Sequence, residues 1–118
     1  MSTKSVVLFV EEDGAVPVKD WLDDQPRKVQ DKFVARVQQL AEEGHRLRRP
    51  LAAHLGDQIY ELRVRHQNVH YRILYFFSGD YIVLSHGLTR EKRVPPADIK
   101  RAKRRRDRFA PRNNVYRP

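Results

Sequence analysis

The chain reads as an α+β domain: a small twisted antiparallel sheet with helices packed on one face, in the order β-α-α-β-β-β-α. Three observations predict it. Within residues 56–77, positions 60–65 and 69–73 alternate apolar and polar side chains on either side of a short turn, the pattern of a half-buried hairpin. Val29, Phe33, Val37, Leu40 and Ala41 recur at helical spacing, which gives one apolar stripe for a sheet to receive. The length of 118 residues supports one modest core and not two.

Each element follows from local chemistry. Residues 6–11 form an apolar run stopped by Glu12-Asp13-Gly14, hence a first strand and a turn, expected beside the hairpin. Residues 16–22 suit a short helix. Asp23 or Asp24 ahead of Pro26 then has the arrangement of a helix cap followed by an early proline, and Gly44 closes the second helix. Arg27, Lys28, Asp31, Lys32, Arg36 and Glu42 fall mainly off its apolar stripe. Residues 45–50 are a basic loop, and residues 51–55 read as one helical turn leading into the hairpin at Gly56. After the hairpin, Ser78-Gly79-Asp80 is a turn and residues 81–86 are a further strand. A basic loop over 87–94 precedes Pro95-Pro96 and a helix from about Ala97 to Arg108, whose few apolar contacts are Ile99 and Ala102. Residues 1–109 are thus one domain, and residues 110–118, with two prolines and two adjacent asparagines, a loose tail.

The hairpin register is deducible. A two-residue turn at Gln67-Asn68 pairs Tyr60 with Tyr75, Leu62 with Ile73 and Val64 with Tyr71 on one face, every pair apolar. The other face then sets Arg63 opposite Arg72, Arg65 opposite His70 and Glu61 opposite Leu74. A slip of one residue would mix the two sets, so the register is strongly specified. Like charges directly opposed cost roughly 0.2 to 1 kcal/mol, which points to an anion shared by Arg63 and Arg72.

Charge is polarised along the chain. Residues 1–59 carry 9 Lys/Arg against 10 Asp/Glu, whereas residues 60–118 carry 15 against 5, so the whole excess behind the +9 net charge lies in the second half. Such a half-molecule suits a polyanion, because neutralised phosphates release counterions. With no cysteine, disulfides and thiolate metal sites are excluded, and a reducing cytoplasm is the expected setting. No apolar run exceeds five residues, so neither a membrane span nor a signal peptide is expected.

Two facing guanidiniums can grip one phosphate with forked hydrogen bonds and stabilise a pentacoordinate phosphorane, which makes Arg63 and Arg72 the leading site candidates. His70 is the member of that face whose ordinary pKa suits proton transfer near neutrality. Glu61 shares the face, and pairing with Arg63 is its expected role. His86 continues the Ile82 and Leu84 face by strand parity and reads as a packed histidine. Arg65, the loop residues Arg90, Lys92 and Arg93, and Lys100, Arg101, Lys103, Arg104 and Arg105 of the last helix form the expected nucleic-acid contacts, with Arg90 able to join the site as a third cation. Tyr60, Tyr71 and Tyr75 fall on the buried face and read as core. His45 and His54 fit no metal motif, and no metal or other cofactor is expected.

With Tyr60-Glu61-Leu62-Arg63, Tyr71-Arg72-Ile73-Leu74-Tyr75, Leu84-Ser85-His86-Gly87-Leu88 and the helix beginning Pro96-Ala97-Asp98-Ile99, the chain resembles the RelE/ParE toxin superfamily, and within it the phage-derived, HigB-like branch. The resemblance covers most of the chain. It implies a cytoplasmic toxin of a type II toxin–antitoxin pair with a microbial-ribonuclease-like fold, which cleaves mRNA, typically on the ribosome. It also implies a neutralising antitoxin, a helix-turn-helix protein encoded next to it. Arg63 and Arg72 match the family's basic site positions, and Arg90 matches the first of a lysine pair whose second member is replaced here by Glu91. The implied chemistry is attack of a 2′-hydroxyl on the adjacent phosphate without a metal. Two other readings stand beside it: a gyrase-inhibiting toxin of the ParE type, and a basic nucleic-acid-binding module without chemistry.

Overall fold

The structure, a computed structural model, describes residues 4–89 and 92–117. Its elements are β1 (Ser5–Leu8), α1 (Pro17–Asp23), α2 (Arg27–Glu43), a 3-10 turn (Gly44–Arg46), β2 (Ala52–Gly56), β3 (Ile59–His66), β4 (Val69–Ser78), β5 (Tyr81–Thr89), α3 (Pro96–Arg108) and α4 (Pro111–Asn114). The five strands form one sheet in the order β1-β5-β4-β3-β2.

The hairpin β3–β4 has the register that alternation dictates: Tyr60 faces Tyr75, Leu62 faces Ile73, Arg63 faces Arg72 and Arg65 faces His70. Gln67 and Asn68 both take positive φ, 50° and 65°, as a two-residue turn that follows the strand twist requires. The apolar face of the sheet receives α1 and α2. Val29, Phe33 and Leu40 of α2 and Val18 of α1 are buried against Leu62, Val64, Tyr71, Ile73, Tyr75, Ile82 and Leu84. Pro26 itself is the cap of α2, without a side-chain hydrogen bond, so the expected aspartate cap is not used.

Trp21 fills the corner between the helices and the sheet, edge-on to Phe33 at 5.9 Å and to Tyr71 at 6.4 Å. It lies directly over Gly87, where a Cβ would stand 2.1 Å from the indole. Gly87→Ala must therefore displace the ring, and we expect it to cost about 1 to 3 kcal/mol. Trp21 is the sole tryptophan, so its fluorescence in a denaturant titration reads this directly; an unshifted midpoint would show that the indole is free to move.

Three features depart from the local reading. Residues 51–55, expected as one helical turn, fall almost wholly in the edge strand Ala52–Gly56 paired with β3, and the tight turn lies at Asp57-Gln58, with φ of 52° and 62°. Leucine and alanine favour a helix intrinsically, but an edge of β3 offering unpaired backbone groups overrides a weak propensity. β1 lies beside β5, parallel to it, rather than against the hairpin, which makes the sheet mixed. The segment expected as a loose tail is held down: Asn114 is buried, its amide donating to the Val10 carbonyl and its Oδ1 accepting from the Ala110 N–H. Val115 bridges to Phe9, and the Tyr116 N–H bonds to the Leu8 carbonyl, extending the β1 edge.

The second face of the sheet is covered in part by α3. Ala102 is fully buried with Ile59, Leu74, Phe76, Val83, Phe9 and Val94, and Ile99 and Phe109 pack against them. β5 runs on to Thr89, beyond its expected end at His86, and pairs Leu88 with Arg72. A bulge in the β4–β5 ladder inserts Ser85 between Leu84, opposite Tyr75, and His86, opposite Leu74. The extra residue reverses parity, so His86 faces α3 and not the Ile82 side.

Candidate active site

The second face carries a row of ion pairs. Glu61, 1% exposed, accepts from Arg72 Nη1 at 2.7 Å through Oε1 and from Arg63 Nη2 at 3.2 Å through Oε2. One buried carboxylate therefore bridges the two opposed arginines and relieves most of their repulsion. The anion that their pairing demands is supplied in part by the chain. What remains is a triad of net charge +1 in which the Nε of both arginines is buried without a partner among the described residues. Unmet guanidinium donors inside a protein are costly, so these two arginines keep hydrogen-bonding capacity that Glu61 does not use. Glu61 holds both guanidiniums in place before any ligand arrives.

The site is more enclosed than simple alternation implies: the Arg72 side chain is 10% exposed and that of Arg63 28%. A cavity of about 320 Å³ borders it, lined by Arg36, Pro50, Leu51, Arg63, Arg65, His70 and Arg72 among others. Arg36 enters from α2, where its Nε donates to the Arg63 carbonyl at 3.1 Å; Lys32, one turn earlier, donates to the Arg65 carbonyl at 2.9 Å. Both cap the stretch of β3 beyond β2. Sequence reasoning alone does not single out Arg36, yet it stands three residues after Phe33 and four before Leu40, at the flank of the stripe that meets the sheet. His70 is half-buried at the cavity wall, opposite Arg65, whose Nη2 bonds to Asn68 Oδ1 at 3.0 Å. Lys92 and Arg93 are exposed after β5, and Arg90 lies outside the described residues.

The basic residues of α3 divide into two sets. Lys100, Arg101 and Arg104 are exposed, Arg101 within 3.7 Å of Asp98. Lys103 stands 3.5 Å from Asp57, and Arg106 donates to the Asp57 carbonyl, fastening α3 over the β2–β3 turn. Arg105, expected as a nucleic-acid contact, is turned inward. Its Nε donates to Glu11 at 2.7 Å, and its Nη1 reaches the Ser85 carbonyl, Ser85 Oγ and His86 Nδ1 at 3.2 to 3.3 Å. His86 completes this network through Nε2 to Asp98 Oδ1 at 3.0 Å, with Ser85 Oγ 2.9 Å from Nδ1. Burial, opposed by the Asp98 hydrogen bond and reinforced by the Arg105 charge, lowers its pKa to about 4. Neutral His86 donates from Nε2 and accepts at Nδ1, so the ring pins α3 to the sheet. Ser85, 0% exposed, is closed to any substrate.

Residues 20–107 match the family described as Phage derived protein Gp49-like (DUF891). The chain belongs to that family. The resemblance read from the sequence is met at the level of this RelE-like toxin family. No curated protein matches the chain. The Gp49-like match runs from within α1 nearly to the end of α3 and takes in Glu61, Arg63, His70, Arg72, Ser85, His86, Asp98, Arg105 and the basic face of α3; β1, Glu11 and α4 lie outside it. Of the expected site residues, this Gp49-like fold brings together Arg63, Arg65, His70 and Arg72 around one cavity. It sets Lys100, Arg101 and Arg104 apart on the outer side of α3. No helix of the described residues is long and apolar enough to cross a membrane.

Proposed function

We propose that this Gp49-like chain is the toxin of a type II toxin–antitoxin pair, of the HigB-like branch, and that it acts in the cytoplasm as an mRNA endoribonuclease, on the ribosome. The observation that carries the reading is the pair of arginines, bridged by a buried glutamate and lining one cavity with a half-buried histidine, each with an Nε donor unmet among the described residues. The 2′-hydroxyl attacks the adjacent phosphorus and passes its proton to His70. The P–O5′ bond then breaks, leaving a 2′,3′-cyclic phosphate and a 5′-hydroxyl that takes a proton back. Arg63 and Arg72 stabilise the added charge of the phosphorane, Arg36 and Arg65 raise the local positive potential, and all of this stabilisation comes from side chains. Arg90 is the candidate third cation of the site, and the exposed Lys92 and Arg93 add positive charge for RNA contact.

The test is induced expression in cells with mapping of RNA 5′ ends, alone and with the neighbouring gene. Growth arrest with new ends inside coding regions, reversed by a helix-turn-helix antitoxin from the adjacent gene, is the expected result. Arrest with DNA breaks and intact transcripts would point to gyrase instead. Salt-sensitive RNA binding without cleavage would leave a basic binding module.

His70→Gln tests the proton transfer. We expect a large loss of cleavage rate on a short RNA and loss of the acid limb of the pH profile; wild-type rates from about pH 5 to about pH 9, values bracketing the ordinary histidine pKa of ~6.5, would remove His70 from the scheme. The outer face of α3 is tested by replacing Lys100, Arg101 and Arg104 with glutamine, since Arg105 and Arg106 are needed inside. The slope of log affinity against log salt should shrink by roughly 0.7 for each phosphate of a single-stranded RNA that is no longer neutralised. An unchanged slope would mean that this face is merely solvated.

A further inference from the structure

A second cavity, of about 460 Å³, opens at the outer edge of the sheet between the Gly44–Arg46 turn and β2. Its walls are aromatic and basic together. His45 is exposed and stacks on Phe77 with ring centroids 3.6 Å apart and planes 17° from parallel. His54, also exposed, leans on Tyr60 at 4.9 Å, and Tyr60 is backed by Tyr75, nearly parallel at 5.4 Å. His45 meets the same Tyr60 ring edge-on at 6.3 Å. Arg48 and Arg49, both exposed, line the rim. Tyr60 thus does more than fill the core: it is half-buried, and its ring is part of this wall.

We propose that this cavity is a nucleobase-stacking subsite for single-stranded RNA, adjoining the arginine cavity along residues 48–52; the inference rests on the endoribonuclease reading. Flat π-faces held by a second aromatic layer accept any base, and guanidiniums at the rim take the phosphates between bases. A carboxylate-rich protein segment would use the arginines but leave the rings idle. The two cavities also share one segment of chain. Arg48, Arg49 and Ala52 line this one, and Pro50 and Leu51 line the arginine cavity, so an RNA strand crossing residues 50–51 reaches both. The subsite holds a base to one side of the scissile phosphate and fixes the strand against sliding.

The test uses the full chain and a short fluorescent 2′-O-methyl RNA, which binds but lacks the attacking hydroxyl. His45→Ala combined with His54→Ala should weaken binding roughly tenfold or more, with the salt slope unchanged. Arg48→Gln with Arg49→Gln, at two exposed side chains, should lower the slope by about 0.7 for each phosphate set free. His45→Phe keeps the ring and should bind as the unaltered chain does, which separates stacking from any loss of fold. Affinity unmoved by the histidine pair, or no binding by the unaltered chain, overturns the subsite. So does displacement of the RNA from this cavity by a polyglutamate peptide that binds more tightly. Cleavage of unmodified RNA is followed in parallel. Cleavage with ring-independent binding would keep the enzyme reading and dismiss the subsite, whereas ring-dependent binding without cleavage would do the reverse.

Discussion

Arg72→Ala is expected to remove RNA cleavage and to destabilise the fold together. The Arg72 side chain is 10% exposed and makes the shorter of the two bonds to Glu61, whose own side chain is 2% exposed. Truncation leaves that carboxylate buried with one partner at 3.2 Å. Breaking a buried pair from one side typically costs about 3 kcal/mol or more, which for a chain of this size lowers Tm by on the order of 10 °C. The lost charge stabilisation should cost roughly a hundredfold or more in cleavage rate. Arg63→Ala is the cleaner probe of chemistry, because its side chain is more exposed and Glu61 keeps its stronger partner; about 1.5 kcal/mol is the expected loss of stability. The double variant should be about as inactive as either single one, since both arginines act on one phosphate. Full cleavage by Arg63→Ala, measured well below its melting temperature, would refute the assignment. An unshifted Tm for Arg72→Ala would show that the bridge to Glu61 contributes nothing to the fold.

Acid should loosen α3 in a defined window. The folded pKa of His86, about 4, lies below the ordinary 6.5, so between these values the unfolded chain binds the proton that the folded chain refuses. The stabilisation from neutral His86 is therefore complete above about pH 6.5. It is lost progressively as pH falls toward 4, and constant below that. A shift of this size corresponds to about 3 kcal/mol. Burial is the main reason the ring resists protonation. Asp98 favours the imidazolium, while Arg105, which with Ser85 faces Nδ1, and Arg101 add positive charge that opposes it. His86→Asn should lower Tm near pH 7 while flattening the dependence through this window. Melting curves at a series of pH values decide it, and equal slopes for the two proteins would place the acid sensitivity elsewhere. The experiment also bears on function, because α3 carries the exposed Lys100, Arg101 and Arg104.

Much of this molecule is legible in the order of its residues. Alternation over residues 60–65 and 69–73 fixes the hairpin register to the residue, and with it the opposition of Arg63 and Arg72. The stripe of Val29, Phe33 and Leu40 identifies α2 and the face it covers. These are local periodicities, two for a strand and 3.6 for a helix, and they are written in the succession of side chains. The rest depends on what neighbours supply. The Ser85 bulge changes the direction of His86 by one inserted residue, and nothing in Leu84-Ser85-His86 marks it. Residues 52–56 become a strand because β3 has an edge to fill, and Arg36 turns to the site because free carbonyls of β3 lie within its reach. Arg105 goes inward because Glu11, distant in sequence, waits there with an oxygen. Burial of Glu61 is the deciding case. The sequence alone determined that two arginines would meet across a hairpin, but only packing from both faces removed water from between them, and a carboxylate in that dry space binds both arginines far more firmly than it would at a solvated surface.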